Sequence, residues 1–113
     1  MNLLEKINET ATYISNRINE SPTVGIILGS GLGTLADAVE VSSELNYTDI
    51  PHFPVSTVIG HEGKLIFGKL GGKQCVMMKG RFHYYEGYDM LTVTFPIRVM
   101  KALGVETLLI SNA

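Results

Sequence analysis

Apolar positions along this chain recur in patterns that predict alternating helices and strands. Near the start, they fall three or four residues apart, which predicts one amphipathic helix that ends before the turn-forming sequence 19–22. The positions are Leu3, Leu4, Ile7, Ala11, Ile14 and Ile18. Asn2 followed by Glu5 is typical of a capping box. The next run, Thr23–Leu28, is apolar and β-branched, as in a parallel strand that is buried on both faces.

The middle of the chain predicts a β-hairpin. Lys64–Leu70 and Lys73–Met78 are two strand-like runs joined by Gly71 and Gly72, and a Gly-Gly link favours a tight turn because glycine readily takes positive φ. Before the hairpin, the pattern predicts a short helical segment at Thr34–Val39 and a mixed strand near Glu44–Thr48.

The last third predicts a helix and a final strand. Met90–Leu103 has helical spacing, with Pro96 either opening or kinking the helix, and Gly104 is a typical stop. Glu106–Ile110 predicts another buried strand, and no helix follows to cover it. We therefore expect an α/β chain with a central sheet flanked by helices, and a sheet that is cut short.

Composition excludes several classes of protein. The chain has 113 residues, 45% hydrophobic and 18% charged, which is typical of a globular domain and too apolar for a disordered tail. A net charge of −2 argues against a nucleic-acid surface. No apolar run is long enough to span a bilayer, and the start does not resemble a signal peptide, so we expect a cytoplasmic protein. The single cysteine, Cys75, is expected to be a buried, inert thiol, and one Cys with three His gives no zinc-type spacing.

A glycine-rich turn follows the first predicted strand. In Gly29–Gly33, backbone N–H groups can converge on an anion and the Ser30 hydroxyl adds a donor. The P-loop pattern fails because no lysine follows the glycines. The looser dinucleotide pattern is matched by Gly31, Gly33 and Ala36, but the helix after it is short for such a unit. A tight turn without a ligand is the alternative.

Two further stretches carry candidate chemistry. If residues 80–87 are extended, Arg81, His83 and Tyr85 point to one side, and together they suit an oxyanion and a sugar. The alternative is a solvated surface loop. His61 lies between Gly60 and Gly63 on what reads as a pliable loop, where it is either a lid or a bystander.

These motifs carry a family resemblance over nearly the whole chain, in order and at matching spacing. The chain resembles the N-terminal part of the trimeric purine nucleoside phosphorylases, of the low-molecular-mass, 6-oxopurine-preferring type. The stretches that carry it are 25–33, 53–54, 56–63, the specific stretch 80–88, 94–98 and 111–113. The resemblance implies the nucleoside phosphorylase fold, with residues 1–113 as the N-terminal portion of a single α/β domain that is here truncated.

The resemblance also implies an activity. The family cleaves purine ribo- and deoxyribonucleosides with inorganic phosphate in purine salvage, without a metal or organic cofactor, as a cytoplasmic homotrimer with no nucleic-acid or membrane partner. Carried over by position, the residue roles are phosphate binding by Ser30, Arg81, His83 and the backbone of Ala113, the phosphate entrance for His61, ribose contact for Tyr85, and support of the catalytic His83 by Glu86.

The family's base-binding residues have no counterpart in this chain, so we expect it to carry the phosphate half of an active site and to be inactive alone. Three alternatives stay open. The first is a methylthioadenosine phosphorylase within the same family. The second is a non-catalytic phosphate- or nucleotide-binding module, and the third is an α/β piece without a site.

Overall fold

A mixed sheet organises the fold. The computed structural model describes residues 1–27, 37–55, 63–79 and 90–110. In these ranges the elements are α1 (Leu3–Ser15), β1 (Val24–Ile27), β2 (Glu40–Asn46), a 3-10 turn (Tyr47–Asp49), β3 (Lys64–Leu70), β4 (Lys73–Lys79), α2 (Met90–Leu103) and β5 (Thr107–Ile110). The described strands form a five-stranded sheet in the order β2-β3-β4-β1-β5. β1 is parallel to β4 and β5, whereas β3 is antiparallel to β2 and β4.

Helix α1 begins at the predicted cap and ends earlier than predicted. The Glu5 backbone N–H donates to Oδ1 of Asn2 at 2.8 Å, which satisfies one of the free donors of the first turn. The helix ends at Ser15, so Ile18 lies beyond it, although its side chain still packs against the core. Leu4 is 65% exposed, because it falls outside the stripe that faces the sheet. That buried stripe consists of Ile7, Thr10, Ala11 and Ile14.

The hairpin between β3 and β4 is confirmed. Gly71 and Gly72 have φ of +59° and +82°, the region in which glycine has no steric penalty, and the flanking Leu70 and Lys73 pair across the turn.

Strand β2 is longer than predicted and starts four residues earlier, at Glu40. Its first residues are mostly polar and exposed because β2 is an edge strand of the sheet, so they lack the apolar alternation that marks a half-buried strand. The bulge between Val41 and Ser43 interrupts the pattern further.

Helix α2 has the predicted range and stop. Gly104 has φ of +110°, its N–H donates to the Lys101 carbonyl, and the Val105 N–H donates to the Met100 carbonyl, which is a Schellman motif. Pro96 lies inside the helix and is buried. Of the two predicted roles, opening the helix is therefore wrong.

Core side chains cover both faces of the sheet. On β4, Val76 and Met78 face the main core, which α1 and α2 also form, while Cys75 and Met77 belong to a second cluster on the opposite face. Cys75 is 2% exposed, so its predicted burial is confirmed. β5 differs from β4, the other strand that flanks β1, since Leu109 and Ile110 are 52% and 54% exposed. The prediction that β5 is a buried strand is wrong, because three of its four residues are exposed and Leu108 is half-buried.

Candidate functional site

All seven site residues predicted from the sequence lie outside the described residues. Ser30 falls in 28–36, His61 in 56–62 and Ala113 in 111–113, while 80–89 contains Arg81, His83, Tyr85 and Glu86. Residues 34–36 of the helical segment predicted at Thr34–Val39 also fall in 28–36. Their assigned roles therefore stay predictions, and the geometry of the site comes from the described residues to which these four segments are joined.

Those four segments are joined to the sheet along one edge. Ile27 ends β1 and precedes 28–36, Lys79 ends β4 and precedes 80–89, and Ile110 ends β5 and precedes 111–113. β3 runs in the opposite direction, so its first residue, Lys64, lies at this same edge. Gly63 joins Lys64 to the end of 56–62. We call this row of strand ends the site edge; its members are Ile27, Lys64, Lys79 and Ile110.

Register keeps the site edge compact. Ile27 lies opposite Met78 of β4 on one side and Ile110 of β5 on the other, and Lys64 lies opposite Lys79. Neighbouring strands are about 4.8 Å apart, so the four attachment points span three strand spacings, about 14 Å. The carboxyl ends of parallel strands are the usual ligand-binding edge of an α/β sheet. Here β3, β4, β1 and β5 are consecutive in the sheet, so four chain segments meet at such an edge.

The attachment of residues 56–62 is the tightest described contact at the site edge. The Tyr47 N–H donates to the Gly63 carbonyl at 3.0 Å, which continues the β2–β3 ladder by one residue. A Cβ atom at Gly63 would overlap the Tyr47 ring and would lie 2.8 Å from the Lys79 carbonyl oxygen. The pliable loop predicted around His61 lies in 56–62, outside the described residues. At Gly63 itself, the close approach of two neighbours is what requires glycine.

Tyr47 is fixed by the core. Its side chain is 2% exposed, and its ring lies 5.0 Å from that of Phe53, centroid to centroid, tilted by 45°. Burial raises the pKa of the Tyr47 hydroxyl far above its usual range, so this group stays protonated at alkaline pH, where an exposed tyrosine would ionise. Sequence reasoning missed both Tyr47 and Gly63 as site-supporting residues, and only the Gly63-containing motif offered a signal.

Charge at the site edge is positive on β3 and β4. Lys64 Nζ lies 3.1 Å from Glu44 Oε2 on the neighbouring β2, so its charge is partly balanced. Lys79 is exposed and forms no ion pair with another described residue. In the described ranges, no three His, Cys, Asp or Glu side chains gather as metal ligands. No described helix has the length and apolarity to cross a membrane.

A cavity of about 360 Å³ lies between the first turns of α1 and α2. Its described lining includes His52, which has φ of +63° and whose Nε2 is 3.0 Å from Glu9 Oε1. Thr10 Oγ1 donates to the Pro51 carbonyl at 2.8 Å and ties the same loop to α1. These contacts fix the 50–54 loop against α1.

Known proteins share both the sequence and the fold. A sequence profile described as the phosphorylase superfamily matches residues 23–113. The chain belongs to the phosphorylase superfamily. A relative within this superfamily, purine nucleoside phosphorylase 1 of Bacillus subtilis, is 57% identical over 109 residues, covering 96% of this chain and 40% of its own length.

Two solved phosphorylase structures match the fold. Purine nucleoside phosphorylase of Schistosoma mansoni in complex with acetate is 52% identical with a TM-score of 0.91, covering 96% of this chain and 40% of that one. A purine nucleoside phosphorylase in complex with ribose-1-phosphate is 52% identical with a TM-score of 0.87, covering 97% and 40%. The predicted fold class, a mixed central sheet flanked by helices as in nucleoside phosphorylases, is confirmed, and the chain spans about 40% of those structures.

Proposed function

We propose that the protein carrying this chain cleaves purine ribo- and deoxyribonucleosides with inorganic phosphate, and that this chain supplies the phosphate-binding half of the active site. In this proposal residues 1–113 are the N-terminal portion of one α/β domain. The observation that carries it is the convergence of four segments on the site edge, because these segments contain every residue assigned to phosphate or ribose.

The residue types suit a tetrahedral dianion. Arg81 offers a planar fork of donors, Ser30 a hydroxyl, His83 an imidazole and Ala113 a backbone N–H. His61 stands at the phosphate entrance, Tyr85 contacts the ribose, and Glu86 orients the ring of His83. Strand ends that lie within about 14 Å of one another are close enough for side chains from all four segments to surround one anion.

The proposed chemistry needs no electron transfer and no organic cofactor. The bond between the anomeric carbon and the base nitrogen breaks, and its electron pair leaves with the base. A phosphate oxygen forms the new bond to that carbon, and the proton of the hydrogen phosphate dianion ends on the departing base. The products are ribose 1-phosphate or deoxyribose 1-phosphate and the free base. The transition state resembles an oxocarbenium ion, so an oriented phosphate dianion is both its nucleophile and its counter-charge.

Two features support this reaction over a non-catalytic binding module. The chain is 57% identical to a protein named as a purine nucleoside phosphorylase, over 96% of its length. A solved neighbour with the same fold holds ribose-1-phosphate, the product of such a reaction. A homotrimeric, cytoplasmic, metal-free enzyme of purine salvage, with no nucleic-acid or membrane partner, completes the proposal, as the resemblance implies.

Binding of orthophosphate to this chain tests the proposal directly. We expect wild-type chain, shown to be folded by circular dichroism, to bind phosphate in equilibrium dialysis. Arg81→Ala should weaken binding about 10- to 100-fold, since a hydrogen bond to a charged group contributes about 1.5–3 kcal/mol. Arg17→Ala is the matched control, because Arg17 lies on the Tyr13 ring after α1 and its removal leaves the site edge intact.

Two results would overturn the proposal. One is a folded chain that does not bind phosphate, and the other is equal affinity in Arg81→Ala and Arg17→Ala. A parallel titration with NAD separates the dinucleotide-binding alternative, because a phosphorylase site gives no thermal shift with NAD at concentrations where phosphate does.

A further inference from the structure

We infer that Gly63, together with the Tyr47 ring against it, is a positioning residue that sets the relative placement of the two segments carrying His61 and Arg81. The inference rests on the proposed function and adds to it a residue that touches neither phosphate nor nucleoside. It is carried by the packing around Gly63 and by the register of β3 and β4.

Gly63 lies between two rigid groups. On one side is the Tyr47 ring, whose nearest atoms a Cβ would overlap, and on the other is the Lys79 carbonyl oxygen, at 2.8 Å from that Cβ. Tyr47 is 2% exposed and packs against Phe53, so its ring moves only if the core moves. The Lys79 oxygen belongs to the backbone of a paired strand, so it moves only if β4 moves.

Gly63 and Lys79 each adjoin a segment of the candidate site. Gly63 is two residues after His61 and Lys79 is two residues before Arg81 in sequence. The hydrogen bond from Tyr47 N–H to the Gly63 carbonyl holds the first of these attachments at 3.0 Å. A side chain at position 63 would therefore push the start of β3 away from the end of β4. The attachment points of segments 56–62 and 80–89 would then move apart. Loss of one hydrogen bond to a charged group through such a displacement would weaken phosphate binding by about 10- to 100-fold.

Gly68 provides a matched control on the same strand. A Cβ there would overlap the Glu40 carbonyl oxygen and would lie 2.9 Å from Val39 Cγ1, so substitution strains the backbone there as well. Gly68 is five residues further along β3, about 17 Å from Gly63, at the end of the sheet near the Gly71–Gly72 turn. The two glycines are thus similarly crowded, but Gly63 adjoins the site edge and Gly68 lies toward the other end of the strand.

The experiment compares Gly63→Ala and Gly68→Ala in this chain. Thermal unfolding gives the stability of each variant, and equilibrium dialysis with orthophosphate gives its affinity, both at a temperature where the variants are folded. We expect both substitutions to lower the melting temperature, but only Gly63→Ala to weaken phosphate binding, by about 10-fold or more. Equal affinities in the two variants, whether both unchanged or both reduced, would overturn the inference.

A second pair covers the case in which Gly63→Ala does not fold. Tyr47→Leu removes the ring from Gly63 while keeping the backbone hydrogen bond, and Phe67→Leu removes a ring from the same core cluster in the middle of β3. Tyr47→Leu should weaken phosphate binding several-fold relative to Phe67→Leu, and the inference fails if the two bind alike. Failure of wild-type chain to bind phosphate counts against the proposed function, whereas normal binding by Gly63→Ala counts against this inference alone.

Discussion

Lys64, the first residue of β3, lies directly opposite Lys79, the last residue of β4. This pairing places the entry of one site-bearing segment beside the exit of another, which a purely parallel sheet does not do. It also places two cationic residues side by side, an unfavourable arrangement that the contact between Lys64 and Glu44 offsets. Lys79 is therefore the cation at this edge that forms no ion pair with another described residue.

The isolated chain should bind phosphate without turning over nucleoside. The chain spans 40% of the length of its Bacillus subtilis relative, and the family resemblance implies that the base-binding residues lie outside it. An assay of hypoxanthine release from inosine and orthophosphate should show no rate above that of buffer. Phosphate-dependent release that Arg81→Ala abolishes would show that the chain is catalytic alone.

Truncation of Ile14 should strongly destabilise the chain. Ile14 is fully buried between α1 and the sheet, so Ile14→Ala leaves a cavity and should lower the free energy of unfolding by about 2–5 kcal/mol. Leu4→Ala on the same helix is the control, because Leu4 is 65% exposed and its loss should change stability by about 0.5 kcal/mol or less. Urea unfolding monitored by circular dichroism measures both. Similar losses in the two variants would contradict the placement of α1.

The β3–β4 turn should tolerate larger side chains but not residues that disfavour a positive φ. A Cβ at Gly71 or Gly72 meets no atom within 4 Å, so a substitution there acts only through the positive φ. Gly72→Ala should cost about 1–2 kcal/mol, and Gly71→Asn should cost less than Gly71→Ala, because asparagine adopts the left-handed region more readily. Thermal melts of the three variants test the order. Equal melting temperatures for the asparagine and alanine variants would argue against a turn with positive φ.

Cys75 should be unreactive in the folded chain and should make stability fall at alkaline pH. Burial raises the pKa of the Cys75 thiol, so the folded state keeps a proton that the unfolded state releases above about pH 8.5. The stability contributed by the protonated thiol is therefore complete below that pH and is lost as pH rises through the folded-state value. Urea unfolding between about pH 7 and pH 10 should show a smaller alkaline loss for Cys75→Ala than for wild type.

Thiol labelling provides an independent check on the same residue. A chromogenic disulfide reagent should modify Cys75 slowly in buffer and rapidly in denaturant, because the side chain is 2% exposed. Fast labelling of the folded chain would place Cys75 at the surface and would contradict the second core cluster.

Elements with strong local signals could be predicted from the sequence. The Asn2 cap, the Gly71–Gly72 turn and the Gly104 stop each depend on backbone conformations that only a few residue types favour. The start of β2 could not be predicted, because an exposed edge strand has no apolar periodicity. The end of helix α1 was predicted too late because Ile18 packs against the core from outside the helix. Apolar spacing alone does not distinguish such a residue from a helical one.

The candidate site residues could be predicted from their residue types, but the residues that support the site could not. Convergence on one edge follows from strand order and direction, which the motifs alone do not state. The role of Gly63 depends on Tyr47 and Lys79, which lie 16 residues away on either side in sequence. Contacts of this kind can be predicted only when the register of three strands is known.

The β3–β4 hairpin tolerates a change of length at its turn but not at its opposite end, where Lys64 pairs with Lys79. Its turn lies about 24 Å from Lys64 and Lys79, the length of seven paired residues. A peptide inserted between Gly71 and Gly72 should therefore leave the opposite end in place. Deletion of one residue within either strand would instead rotate the following side chains to the other face, exchanging the two core clusters. Length variation in this part of the chain is accordingly confined by geometry to the hairpin tip.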